Sequence, residues 1–541
     1  KAGMSFFAFL EYRHQVALHQ HANRYFFNMT SRLVKSTLTT GSMTLISRIS
    51  GLLRDVVFAN FIGASLVADA FYVAFRIPNF FRRIFAEGAF SQAFVPVLSE
   101  YRNKTDEAAI RLFISHVSAS LGLILFLTVV AGMLGATGIV TVLAPGFLDQ
   151  PDKFSTTVTM LRITFPYLLF ISLVAMSAGV MNAYHKFAVP AFTPVLLNLC
   201  MIASALILAP LMDGSAMALA WGVLIAGIVQ LFYQLPTLKK MNLLVMPRLD
   251  LQDKGVRKVG KLMIPAIIGS SAAQISLLVN TILASFLVTG SVSWLYYSDR
   301  LMEFPLGIFG IALATVILPA LSDTHHSKTK EEFSALLDWA LRWVALIGLP
   351  ASVALVILSD ALVATLFQYG EFTAWDVEMA SKSLIAFSIG LPGLIIIKVL
   401  APGFFARQDT QTPARIAVIA VVVNILVSLI LIRPLAHVGL ALAVTVSAYV
   451  NSGLLYYILR KQSTYRPLPG WFGYLAKVVL ASTSMGAILY FGAGDLQVWT
   501  DAGLLERIGR LTILILSGAA VYFSLVFAFR IPVKQMLKSS S

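Results

Sequence analysis

The 541-residue chain predicts an all-α polytopic membrane protein, and three observations carry that reading. First, 58% of the residues are hydrophobic and 12% charged, with a mean hydropathy of +0.81. A soluble domain carries about 25% charged residues. Second, apolar runs of bilayer length, about 20 residues, recur along almost the whole chain. Third, the loops between them alternate between basic and nearly free of basic groups. Turn and charge signals divide the chain into about fourteen hydrophobic helices. Their spans are 35–63, 66–99, 111–142, 155–184, 189–211, 215–238, 257–288, 291–322, 331–368, 376–405, 412–432, 437–461, 470–492 and 506–530. Several are longer than a bilayer needs, which predicts tilt or protrusion.

One set of loops holds Arg102, Lys104 and Arg111, then Lys186, then Lys239, Lys240, Arg248, Lys254, Arg257 and Lys258. Further along the same side come Lys328, Lys330, Arg407, Arg460, Lys461 and Arg466. The intervening loops have little beyond Lys153 and Arg433. The positive-inside rule then places both termini and the basic loops in the cytoplasm. The net charge of +15 is therefore a topology signal with some attraction to anionic phospholipid, not a nucleic-acid footprint. Cys200 is the only cysteine, which rules out an intramolecular disulfide. The sequence has no Cys/His metal spacing, nucleophile elbow or Gly-rich phosphate loop, so neither metal, cofactor nor enzyme chemistry is expected. Residues 1–28 read as an extension, disordered or non-native, ahead of Met29. Its His14, His19 and His21 lack a further ligand at metal spacing, and FFAFLEYRHQ is not a signal peptide.

The chain repeats itself. RIPNFFRRIF at 76–85 matches RLMEFPLGIF at 300–309, followed by PVLS at 96–99 and PALS at 319–322. TP at 193–194 answers TP at 412–413, and MALA at 217–220 answers LALA at 440–443. The offset is about 220 residues, close to six helices, so both copies run the same way through the bilayer. Two pseudo-symmetric six-helix lobes are expected, over 29–240 and 241–465. The segment 466–541 adds two helices and a cytoplasmic tail.

Charges interrupt the apolar helices, and each costs about 2.5–3.5 kcal/mol at bilayer depth on insertion scales. Asp69, Arg76 and Arg83 step by seven along one helix and Glu87 follows by four, which makes one stripe with Arg82 beside it. In SRISGLLRD, Arg48 and Asp55 are seven apart, as are Ser47 and Arg54. YYSDRLMEF brings Asp299, Arg300 and Glu303 to the matching position of the second copy. Ion pairing explains part of this, Asp55 with Arg48 or Arg54 and Asp299 with a basic neighbour. It leaves a basic surplus, because Arg48, Arg54, Arg76, Arg82 and Arg83 face only Asp55, Asp69 and Glu87. Arg82 and Arg300 also lie too far from the ends of their segments to snorkel. The remaining account is a water-filled cationic cavity. Guanidinium suits bidentate phosphate contacts, so an anionic substrate is expected.

SRISGLLRD, ADAFYVAFRIPNFFRRIFAEGAFSQAFVP, SVSWLYYSDRLMEFP and LAPGFFARQDTQTP together resemble the MurJ (MviN) family of bacterial lipid II flippases. The resemblance runs from about residue 31 to the C-terminus. It implies a MOP-type, MATE-like fold in the bacterial cytoplasmic (inner) membrane, and a transporter of peptidoglycan biosynthesis rather than an enzyme. The implied substrate is lipid II, the undecaprenyl-pyrophosphate-linked disaccharide pentapeptide. The implied functional residues are Arg48, Arg54, Arg82, Arg300 and Asp69, with Ser47, Arg76, Asp299 and Glu303 as cavity neighbours. The last two helices are expected to form a groove for the lipid tail. Transient contacts with other cell-wall synthesis proteins are a further expectation. Alternating access is the expected mechanism, coupled to the membrane potential or to a monovalent ion, for which Asn280, Asn424 and Asn451 offer oxygen ligands. The alternative is a MOP-type exporter of another undecaprenyl-pyrophosphate-linked oligosaccharide. A cation-coupled drug exporter is disfavoured by the arginine surplus, and a lipid-linked sugar transferase by the short loops.

Overall fold

The computed structural model describes residues 41–83, 90–310, 313, 317, 318, 320, 321, 330–531 and 533. Among these residues the fold is entirely helical, with no strand. Nine of the described helices are long and apolar enough to cross a membrane. The extension 1–28, Glu87, Lys328 and half of the PALS motif lie outside the described residues.

The helices follow local sequence rules. After α1 (41–62) the chain turns at Gly63, and Ser65 caps α2 (Leu66–Arg82) by accepting from the Ala68 N–H. The single segment expected over 66–99 is described as α2 and a separate α3 (Ser91–Lys104). Asp106 caps α4 (Glu107–Leu134). The segment 155–184 divides into α5 (Pro151–Thr164) and α6 (Tyr167–Ala183) at Pro166, whose ring cannot donate to the preceding turn. There follow α7 (Ala188–Ala203), α8 (Met217–Lys240), α9 (Lys254–Ser285) and α10 (Ser291–Pro305). Then come α11 (Lys330–Ile357) and α12 (Ala374–Phe405), the latter opened by a Thr373–Asp376 capping box. At 51 residues α13 (Gln411–Lys461) is about 76 Å long at 1.5 Å per residue, over twice a hydrocarbon core. It breaks at Ala436, with φ 49° and ψ −128°, two residues after Pro434, as the separate segments 412–432 and 437–461 anticipate. The chain closes with α14 (Trp471–Ala493) and α15 (Leu504–Ala528).

A set of helix pairings positions the site. α8 packs on α6 and α7, and α5 packs on α2. α12 packs on α10, α11 and α13. α10 touches α2, and α9 touches α3, which joins the first part of the chain to the second. α14 packs on α11 and α15.

The two parts also meet backbone to backbone at the end away from the basic loops. The Glu371 N–H donates to the Asn60 carbonyl at 3.0 Å. Gly63 and Gly370 both take φ +56°, and a Cβ on either would strike the opposing backbone at Glu371 or Asn60. Only glycine meets both demands at once.

A candidate substrate cavity

The charge-bearing helices α1, α2 and α10 are not among the nine apolar spans, and they wall a cavity of about 950 Å³. Ser47, Arg48, Arg54 and Asp55 of α1 line it, with Arg82 of α2 and Arg300 and Glu303 of α10. Asn182, Asn198, Gln230 and Gln234 complete its polar wall from α6, α7 and α8. These amides adjoin the loops carrying Lys186, Lys239 and Lys240, so the cavity lies toward the basic end of the bundle.

Asp55 organises the cavity. It is 1% exposed, and its Oδ1 accepts from Arg54 Nη2 at 2.6 Å, Arg54 Nε at 3.0 Å and the Tyr296 hydroxyl at 2.9 Å. Its Oδ2 lies 3.3 Å from Arg300 Nε. Arg54 also donates to Asn198 Oδ1 at 3.0 Å and to the Tyr296 hydroxyl at 2.9 Å. Asn198 in turn donates to the Ser47 carbonyl at 3.1 Å and to Ser50 Oγ at 2.9 Å, which fixes α7 on α1. Arg300 stacks over the Tyr296 ring, 5.4 Å from its centroid, and pairs with Glu303 at 3.2 Å. Two arginines from distant parts of the chain therefore share one carboxylate.

Arg48 is different. It makes no hydrogen bond or ion pair with a described residue, and its guanidinium lies against the backbone of Gly307. Four guanidiniums against two carboxylates leave the cavity cationic. Such a site can grip a phosphate group through charge-assisted, forked hydrogen bonds.

The structure does not bring every residue of the expected set to this cavity. Arg76 and Asp299 line a second, smaller cavity instead, and Arg76 donates to Thr281 Oγ1 at 2.6 Å. Asp69 lines neither. Its carboxylate, 1% exposed, binds Lys153 Nζ at 2.8 Å, the Gly290 N–H at 2.8 Å, the Ser293 N–H at 3.0 Å and the Ser293 hydroxyl at 2.7 Å. Seven-residue steps do keep Asp69 on the face of Arg76 and Arg83. Fourteen residues along a helix are nonetheless roughly 21 Å, so the stripe runs from the cavity to the opposite end.

Lys153, the solitary basic residue of its loop, is the partner that sequence reasoning missed, although its isolation there was a signal. Asn198, Tyr296, Gln230 and Gln234 also went unnoticed. The two glutamines, four apart on α8, offered the clearest hint, since that spacing puts two amides on one face of an apolar helix. The three-ligand cluster of His116, Asp250 and Asp253 stands at the basic end, outside the cavity.

Comparison with known proteins agrees. A family profile described as "Lipid II flippase MurJ" matches residues 58–506. The "Probable lipid II flippase MurJ" of Vibrio cholerae serotype O1 is 45% identical over 515 residues, 94% of this chain and 98% of that protein. The "Lipid II flippase MurJ" of Burkholderia cenocepacia is 42% identical over 501 residues, 92% of this chain and 97% of that one. A solved structure of lipid II flippase MurJ in an inward closed conformation superposes with TM-score 0.77 at 27% identity, over 91% of this chain and 98% of that chain. A MATE multidrug transporter of the MOP superfamily, inward-facing, superposes with TM-score 0.65 at 12% identity, over 79% and 98%, which shows a shared fold. With its helical bundle and its cavity walled by α1, α2 and α10, the chain belongs to the MurJ family of lipid II flippases, transporters rather than enzymes.

Proposed function

We propose that this chain translocates lipid II from the cytoplasmic to the periplasmic leaflet by alternating access, with the arginine-lined cavity holding the pyrophosphate. The observation that carries this reading is the grouping of Arg48, Arg54, Arg82 and Arg300 around one cavity in a member of the MurJ family. Arg48 meets the substrate first because it has no partner to leave among the described residues. Arg54 and Arg300 follow by exchanging Asp55 for a pyrophosphate oxygen, and Arg82 stands nearby. Since Arg54 and Arg300 come from opposite parts of the chain, bound pyrophosphate couples those parts while the prenyl chain stays in lipid.

The architecture behind this is fourteen helices: lobes of six over 29–240 and 241–465, then two more, with both termini cytoplasmic. At the far end Asp69 ties α2 to the start of α10, and opening toward the periplasm requires its bonds to Gly290 and Ser293 to break. Moving one charge through 100 mV is worth about 2.3 kcal/mol. With the inside negative, outward passage of an anionic head group runs downhill, as does return of the empty cationic cavity. A monovalent cation is a second possible driver.

The test uses cells whose own lipid II flippase can be switched off. Expression of this chain should make labelled lipid-linked precursor accessible to a cleaving enzyme added outside, and Arg300→Ala should abolish the gain. If inserted wild-type protein leaves that precursor sheltered yet exposes another undecaprenyl-pyrophosphate-linked oligosaccharide, the exporter reading replaces this one.

A further inference from the structure

The second cavity, about 300 Å³, lies across α10 from the first. Arg300 and Glu303 line both. Leu301 and Phe304 face only the larger cavity, while Asp299 and Leu295 face only the smaller. Its polar wall is made by Arg76 and Asn79 of α2, Arg83 at its C-terminal end, Gln274 and Asn280 of α9, and Asp299 of α10.

Three features mark this chamber as built for a ligand. Gln274 Oε1 and Asn280 Oδ1 are buried and have no hydrogen-bond partner among the described residues, and leaving a buried acceptor unsatisfied costs about 1–3 kcal/mol. Among the described residues neither Arg83 nor Asp299 makes a hydrogen bond or ion pair, and the chamber holds charges of both signs in one enclosure. Phe75, Phe387 and Leu440 give it an apolar side. The two cavities therefore differ in kind. The larger is lined by four arginines, two of which converge on one carboxylate. The smaller mixes Arg76 and Arg83 with Asp299 and carbonyl acceptors, and Asp299 opposes a phosphate there.

Resting on the flippase reading, we propose that the smaller chamber is the subsite for the peptide part of the head group, taking a stem end that carries both a free ammonium and a carboxylate. The carboxylate meets Arg76 and Arg83, and the ammonium meets Asp299. N–H groups of the stem satisfy Gln274 Oε1 and Asn280 Oδ1, and the apolar side accepts short alkyl groups. Pyrophosphate on one face of α10 and peptide on the other bring two substrate parts to bear on the same helix.

The test reconstitutes the full chain in proteoliposomes. It compares three precursors with the same lipid, pyrophosphate and disaccharide: intact stem, stem with its free amine acetylated, and no stem. Wild type should move the intact-stem precursor about tenfold faster than the acetylated one, the size expected of one charge-assisted hydrogen bond. Asp299→Asn, and separately the pair Gln274→Leu and Asn280→Leu, should bring that ratio close to one. Arg48→Ala should slow all three precursors and keep the ratio. Equal wild-type rates for the three precursors overturn the subsite and leave the flippase reading standing; that comparison needs no variant to fold. Chamber variants that slow all three precursors alike also overturn it. A wild type that moves none of them defeats the flippase reading, and the subsite with it.

Discussion

Asp55 and Asp69 are both 1% exposed and both join the first part of the chain to α10, yet they are built differently. Asp69 takes its hydrogen bonds from two backbone N–H groups, a serine hydroxyl and the buried Lys153. Lys153 is 1% exposed and sits 4.3 Å from the Phe147 ring centroid. None of those donors faces either cavity. Asp55 takes its bonds from Arg54, Arg300 and Tyr296, and the two arginines line the large cavity. A dry carboxylate whose donors have nowhere else to go is a strut. One whose donors line an open cavity is, on the proposed function, a placeholder for the anion. The difference lies in what the donors can do, not in how buried the acid is.

The largest effect should come from breaking the strut. Asp69→Ala strands the Lys153 ammonium without its partner, and breaking a buried pair costs about 3–5 kcal/mol. Thermal unfolding of purified protein in detergent should fall sharply, and adding Lys153→Met should restore much of the loss. At the placeholder, Asp55→Asn should cost less, about 1–3 kcal/mol, because water in the cavity can take up the freed guanidiniums. The same substitution should raise affinity for inorganic pyrophosphate about tenfold, or 1.4 kcal/mol, as read by calorimetry, because the competing carboxylate charge is gone. Equal stability losses at the two sites, with pyrophosphate binding unchanged, would erase the distinction.

Much of this was legible in the sequence, and the part that was not shares one physical cause. Apolar run length and loop charge indicated the helical class, and the division between 412–432 and 437–461 falls at a real break after Pro434, whereas the single segment 155–184 missed the interruption at Pro166. Heptad spacing put Arg48, Asp55 and Arg54 on neighbouring faces of α1, and the structure gathers them at one cavity. Spacing within a helix reports direction around the axis and says nothing about which neighbour stands opposite. Hence Asp69 shared a face with Arg76 but met Lys153 and the start of α10, far from Arg300. The same limit hid Asn198 and Tyr296, whose roles depend on α7 and α10 crossing α1. It also hid that Asp299 faces only the smaller cavity while its neighbour Arg300 reaches both, because α10 runs between the two.

The smallest effect should appear at the connector between the two parts of the chain, where the basic end is fastened. Asp253 opens α9 by accepting from the Gly255 N–H at 2.8 Å and the Val256 N–H at 3.0 Å. Its other oxygen lies 3.1 Å from His116 Nδ1 on α4. Nearby, Ser115 Oγ donates to the Met246 carbonyl at 2.6 Å, so the connector is tied along α4 at two places. Partial burial pulls the Asp253 carboxyl upward, but the Val256 N–H, His116 and the Gly255 N–H together hold it below its ordinary 3.8. A depressed folded pKa means that stability is fully present above the unfolded value and is lost as pH falls through the folded one. The contribution of the Asp253 carboxyl should therefore weaken as pH falls below about 4. Asp253→Ala should cost about 0.5–2 kcal/mol, the usual price of an N-cap, with hydrogen exchange rising at the first turn of α9 and along 241–253. The loss should be far smaller than at Asp69, because the carboxylate removed here is partly exposed and strands no buried charge. A loss matching that at Asp69 would mean that the connector, like the strut, carries the join between the two parts of the chain.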